Sequence, residues 1–143
     1  MRAVSRRALG GLLAGGALAV LAGCGGQVEA ADLFIVTRSA GSRHAQLTLL
    51  VNEEGVVHCD GRKAGNLTDK QLVKARGITE DLEKPASEHL SLPARAGSVF
   101  SYRLRDANGT VSFADNSTGQ PKALRELALL VLEASQQVCK LPE

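Results

Sequence analysis

The chain of 143 residues has no tryptophan, one tyrosine and three phenylalanines, so aromatic residues make up only 3% of it. A surface that stacks bases or sugar rings needs aromatic platforms. Phe34, Phe100, Tyr102 and Phe113 instead fall mostly at strand positions on the expected inner face, and read as core. Catalytic signatures are also missing: there is no Gly-x-Ser-x-Gly elbow, no phosphate-cradling glycine loop and no paired metal-ligand motif. His44, His58 and His89 are dispersed and read as surface residues. Zinc needs three or four ligands, and only His58 adjoins a cysteine; as strand neighbours His58 and Cys59 would point to opposite faces. Glu80 and Glu83 share a helix face three residues apart, but together with Asp81 and Glu88 they read as a solvated helix surface rather than an acid–base pair. The apolar stretch from Ala8 to Ala22 is too short, and too interrupted by Gly10, Gly11, Gly15 and Gly16, to span a membrane comfortably.

What that stretch does form is the middle of an export signal. Arg2, Arg6 and Arg7 precede it, and Leu21-Ala22-Gly23-Cys24 closes it, giving the basic, apolar, small-residue order of a secretory signal. A cysteine directly after Leu-Ala-Gly is the lipobox pattern, at which the signal is cut and the cysteine acylated. Residues 1–23 are therefore expected to be a lipoprotein signal peptide, residues 24–31 a lipidated tether on Cys24, and residues 32–143 an exported domain on the extracytoplasmic face of the cell membrane. Ser5-Arg6-Arg7 is also compatible with twin-arginine export, alongside general secretion. After a bacterial-type signal the sequons at Asn66 and Asn116 read as chance.

Cleavage changes the charge balance. The full chain carries 17 basic and 15 acidic residues. Removing the three signal arginines leaves 14 against 15, a net charge of −1 over the 120 residues from Cys24. The basic surplus thus belongs to the targeting segment, which argues against a nucleic-acid partner. The length fits one domain. Of three cysteines, lipidation of Cys24 leaves Cys59 and Cys139, which an oxidising compartment is expected to join. No cofactor or metal is implied.

Along the domain, Asp32–Thr37, Leu47–Val51 and Val56–Cys59 read as strands, separated by a polar loop at Ser39–His44 and by Asn52-Glu53-Glu54-Gly55 turn chemistry. Thr68 with Gln71 three residues on forms a capping box, and Leu67 with Leu72 a hydrophobic staple. The helix so started is expected to end at Pro85. Val99–Arg105 is the clearest strand, with Phe100, Tyr102 and Leu104 facing one way and Ser101, Arg103 and Arg105 the other. Asn108-Gly109 predicts a two-residue hairpin into Val111 and Phe113. Pro121 opens a second helix with apolar residues at Leu124, Leu127, Ala128, Val131, Ala134 and Val138. The order is ββ(β)αββα. It predicts a single small α+β domain in which an antiparallel sheet of four to five strands carries two helices on one face.

Leu21-Ala22-Gly23-Cys24-Gly25, Phe34-Ile35-Val36-Thr37-Arg38-Ser39 and Ser101-Tyr102-Arg103-Leu104-Arg105 resemble a group of uncharacterised actinobacterial lipoproteins. The element order, with Thr37-Arg38-Ser39-Ala40-Gly41, Phe100-Ser101-Tyr102-Arg103-Leu104 and Pro121 to Leu127, is similar to emfourin, a small protein inhibitor of thermolysin-like metalloproteases. That resemblance implies a secreted metalloprotease as a partner and names no inhibitory residue. Two function classes follow. The first is a non-catalytic, membrane-tethered protein-binding module, a protease inhibitor being one form of it. The second is a small-ligand carrier or hydrolase with an unrecognised site. For the first, the binding residues are expected in the Ser39–His44 loop with its flank (Arg38, Ser39, Gly41, Arg43, His44) and on the sheet edge or face around Ser101, Arg103 and Arg105.

Overall fold

Strict alternation of apolar and polar residues sets one face of a sheet against a helical layer and leaves the other in water. In the computed structural model, which describes residues 31–42 and 45–141, this alternation builds a six-stranded antiparallel sheet. The strands are β1 (Asp32–Ala40), β2 (Leu47–Asn52), β3 (Val56–Cys59), β4 (Arg62–Asn66), β5 (Phe100–Arg105) and β6 (Thr110–Ala114), in the spatial order β4-β3-β2-β1-β5-β6. The helices are α1 (Asp69–Asp81), α2 (Glu83–Ser87) and α3 (Lys122–Gln137). The signal, Cys24 and the tether to residue 30 lie outside the described residues, as do Arg43, His44 and residues 142–143.

Register places Phe34, Val36 and Arg38 of β1 beside Val51, Leu49 and Leu47 of β2, and Val36 and Arg38 beside Leu104 and Tyr102 of β5. These residues, with Val57, Val111 and Phe113, are all buried. Against them pack Ala75, Ile78 and Leu82 of the first helical segment and Leu124, Leu127, Leu130, Val131 and Ala134 of α3. Each large apolar side chain buried here contributes on the order of 1.5–3 kcal/mol, and this is the main force joining the layers. The capping box forms as expected: Thr68 Oγ1 accepts from the Gln71 N–H at 3.3 Å, and Gln71 Oε1 accepts from the Thr68 N–H at 3.0 Å.

Four expectations are corrected. The sheet has six strands rather than four or five, because Arg62–Asn66 pairs with β3 through its backbone alone; none of its side chains is buried, so no alternation betrays it. There are three helices rather than two. Pro85 does not end the helical run but sits third in α2, where its missing N–H belongs to the first turn and has no intrahelical acceptor to lose. The β5–β6 connection spans four residues rather than two. Asp106 Oδ1 accepts the N–H groups of Asn108 (2.8 Å) and Gly109 (3.0 Å), and the Asp106 N–H donates to the Gly109 carbonyl. Finally, β1 runs on to Ala40, taking Ser39 out of the expected loop by pairing it with Ser101.

The segment after α2 finishes the sheet. The Leu92 N–H donates to the Ser112 carbonyl (2.8 Å) and the Ser112 N–H to the Leu90 carbonyl (2.9 Å), so Leu90–Leu92 covers part of the outer edge of β6. Asn116 then clamps the continuing chain at the N–H and carbonyl of Arg95. Asp115 gathers the Ser98 hydroxyl and the Val99 and Phe100 N–H groups. Burial would raise its carboxyl pKa, but these donors outweigh it and hold the pKa below the ordinary value.

Cys59, on the helix-facing side of β3, stands at disulfide distance from Cys139, just past the end of α3, with their Cα atoms 5.8 Å apart. The pair ties one margin of the sheet to the end of the longest helix across 80 residues of sequence. This joins the expected partners.

Candidate functional site

The face opposite the helices is open, and antiparallel pairing arranges its side chains in rungs. One rung runs Thr37, Arg103, Ser112 across β1, β5 and β6; the next runs Ser39, Ser101, Ala114. Directly opposed residues on one face have Cβ atoms roughly 5 Å apart. Each side chain therefore stands in reach of its lateral neighbour. Leu92 and Ala94, from the segment clamped to β6, rise at one side as a wall. Floor and wall enclose a shallow trough of about 350 Å³.

Its polar groups are unspent. Among the described residues, the hydroxyls of Thr37, Ser39, Ser101 and Ser112 and the guanidinium of Arg103 make no hydrogen bond or ion pair. Thr37, Ser39, Ser101 and Arg103 are exposed, and Ser112 is half-buried. Facing water, they are solvated as the outer side of an antiparallel sheet ordinarily is, and no contact within the described protein has to be broken for them to meet a ligand.

Arg105 differs from Arg103 although only one residue separates them. It lies one rung further along, beside Ile35 and Thr110, and lines a second depression of about 250 Å³ with Asp32 and Asp106. Asp106 Oδ2 is buried there without a hydrogen-bond partner. Arg103 thus faces hydroxyls, whereas carboxylates share the surroundings of Arg105.

Of the residues expected to bind, Ser39 and Arg103 meet in the trough and Arg105 lies next to it. Gly41 is exposed in the bend after β1. Arg43 and His44 lie outside the described residues. Arg38 is corrected: it points into the helical layer and is only 5% exposed. Its Nε donates to the Ala45 carbonyl (2.9 Å), its Nη1 to Ser135 Oγ (3.3 Å), and its guanidinium lies 5.1 Å from the Phe100 ring centre. The positive charge is held by a carbonyl, a hydroxyl and a π-face. It also works to lower the pKa of buried Tyr102, but desolvation prevails and that phenol is raised above its ordinary value, aided by the charge of Asp115. The expected sheet edge is corrected too. β5 lies inside the sheet, between β1 and β6, so only its face is presented.

Thr37, Ser112, Leu92 and Ala94 were not expected in the site. Alternation could have assigned the side chains at 37 and 112 to the outer face, but only the register puts them beside Arg103. Elsewhere, Lys70, Lys74, Glu133 and Gln137 line a groove between α1 and α3, where Thr68 already satisfies the helix start. Among the described residues no three His, Cys, Asp or Glu side chains converge to hold a metal, and no helix is long and apolar enough to cross a membrane.

The fold and site together define an α+β domain that displays a polar sheet face. No family model, curated protein or solved structure matches the chain.

Proposed function

We propose that this chain is a lipid-anchored, extracytoplasmic binding module that recognises another protein through the open sheet face and carries out no catalysis of its own. The observation that supports it best is the set of five polar side chains on the Thr37–Arg103–Ser112 and Ser39–Ser101 rungs, which line one trough and have no partner among the described residues. They stand on paired strands, so the backbone that carries them is already ordered, and binding has to order only the side chains. Inhibition of a secreted metalloprotease at the cell surface is the specific form that the emfourin resemblance suggests.

Capture from the cell envelope tests this reading. The wild-type chain is expected to retain a discrete protein partner that an Arg103→Glu/Arg105→Glu variant loses. Equal capture by both would remove the face as the binding surface. Turnover of ester, amide or glycosidic substrates by the purified chain would replace the reading with the hydrolase alternative. The size of the trough, at the lower end of ligand cavities, is what favours the alternative of a small-ligand carrier.

The anchor has its own expected outcome. Mass spectrometry of the membrane fraction should find Cys24 as an acylated N-terminus, and Cys24→Ala should release the protein or leave its signal uncut. An unmodified Cys24 in a soluble wild-type protein would contradict it. The seven residues from Gly25 to Ala31 span about 25 Å at most, so the anchored domain would work close to the membrane.

A further inference from the structure

Ligand chemistry follows from the rung that holds Arg103. A guanidinium offers donors only, in a planar fork that matches the two oxygens of a carboxylate. An ionised carboxylate has about four lone-pair positions to satisfy. Thr37 and Ser112 flank Arg103 on the neighbouring strands, each with a hydroxyl free to donate. Two bonds from the fork and one from each hydroxyl would fill those four positions. A neutral amide in the same place would keep one oxygen for the guanidinium and could donate to the hydroxyls, but it would lose the second bond of the fork and the charge assistance of both.

The surroundings fix the rest. Ser39 and Ser101 stand one rung away, about 7 Å along the strands, where they would meet the backbone of the residue bearing the carboxylate. Leu92 and Ala94 supply an apolar wall for its methylenes. The trough of about 350 Å³ has room for a residue or two and not for a folded domain. One cation meets one negative charge. Arg105 is the less suitable seat, because Asp32 and Asp106 line its depression and would repel an incoming carboxylate.

We propose that Thr37, Arg103 and Ser112 form a carboxylate seat for an aspartate or glutamate on an exposed segment of a partner protein. This rests on the reading of the open face as the binding face and specifies what that face recognises.

The test uses the full chain with its disulfide intact, isotope-labelled in neutral detergent. The probes are the peptide acetyl-Ala-Glu-Ala-amide, its glutamine counterpart and inorganic phosphate. Amide shifts at positions 37, 103 and 112 should move saturably with the glutamate peptide and at least about tenfold more weakly with the glutamine peptide. Arg103→Gln should lose about tenfold in affinity, consistent with loss of a charge-assisted fork. Arg103→Lys should fall in between, and Arg105→Gln should stay within about twofold of wild type. Thr37→Ala and Ser112→Ala should each weaken binding several-fold. An equal response to both peptides, an equal loss in Arg105→Gln, or phosphate binding more tightly than the glutamate peptide would overturn the seat. If the seat fails while envelope capture still depends on the two arginines, the open-face reading stands with other ligand chemistry. If the glutamate peptide titrates as expected while capture ignores the arginines, the seat stands and the protein-partner reading falls.

Discussion

Removing the Cys59–Cys139 bond is expected to lower the unfolding free energy by about 4 kcal/mol. The bond closes a loop of 80 residues in the unfolded chain, and the entropy of that closure sets the size of the effect. The loop contains β4, α1, α2, β5, β6 and α3, so nearly the whole second half of the domain gains freedom when it opens. Cys59 lies on β3, and β4 beyond it has no buried side chain of its own. Loss of the bond should therefore loosen this margin of the sheet first. Urea unfolding of the Cys59→Ser/Cys139→Ser variant, or of wild type under reductant, should show a large drop in midpoint. Coincident transitions with and without reductant would show that the bond is absent or does no stabilising.

Gly109→Ala is expected to destabilise by about 2–4 kcal/mol, in the range of a backbone clash in a packed region. Gly109 has φ +152°, and a Cβ there would run into the backbone carbonyl of Ala86. A carbonyl at the end of α2 cannot rotate aside as a flexible side chain can. Either α2 lifts from the β5–β6 turn or the turn distorts. Gly77→Ala supplies the contrast. Gly77 lies in α1 with nothing within 4 Å of the added carbon, so the substitution should stabilise by up to about 1 kcal/mol. Chemical denaturation of the two variants should move the midpoint in opposite directions. A neutral Gly109→Ala would mean that α2 does not press on this turn.

The same glycine shows what a sequence can and cannot say. Asn108-Gly109 correctly marked the turn between two strands, but for the wrong reason. The expected two-residue turn needs positive φ at both residues, and Asn108 does not have it; Asp106 shapes the loop, and Gly109 is also needed for the close approach of α2. Strands with buried faces were legible because alternation records burial, as in Leu47, Leu49 and Val51. β4 was not, because it owes its place to backbone pairing with β3. Pro85 misled because its effect depends on position within a helix, and that position follows from where α1 breaks at Leu82.

The site divides along similar lines. Arg103 and Arg105 could be assigned to the outer face from their alternation with Tyr102 and Leu104. Arg38 could have been placed the same way, since it alternates with Thr37 and Ser39 on the Val36 face, but it was expected to bind as the flank of the Ser39–His44 loop. Nothing local shows that Ser135, 97 residues away, and the Ala45 carbonyl would satisfy it. Thr37 and Ser112 carry no motif at all. They belong to the site only through register, which is a property of three strands together.

The proposed partner seats on the open sheet face and not on the helical layer, where Val73, Leu129 and Leu132 are exposed. Site-specific photo-crosslinking in intact cells tests it most directly, with the photoreactive side chain at Ser101 in one variant and at Leu129 in another. A discrete cross-linked protein is expected from position 101, lost when Arg103→Glu is added, and none from position 129. The same product from position 129, or a product from position 101 that survives Arg103→Glu, would contradict it.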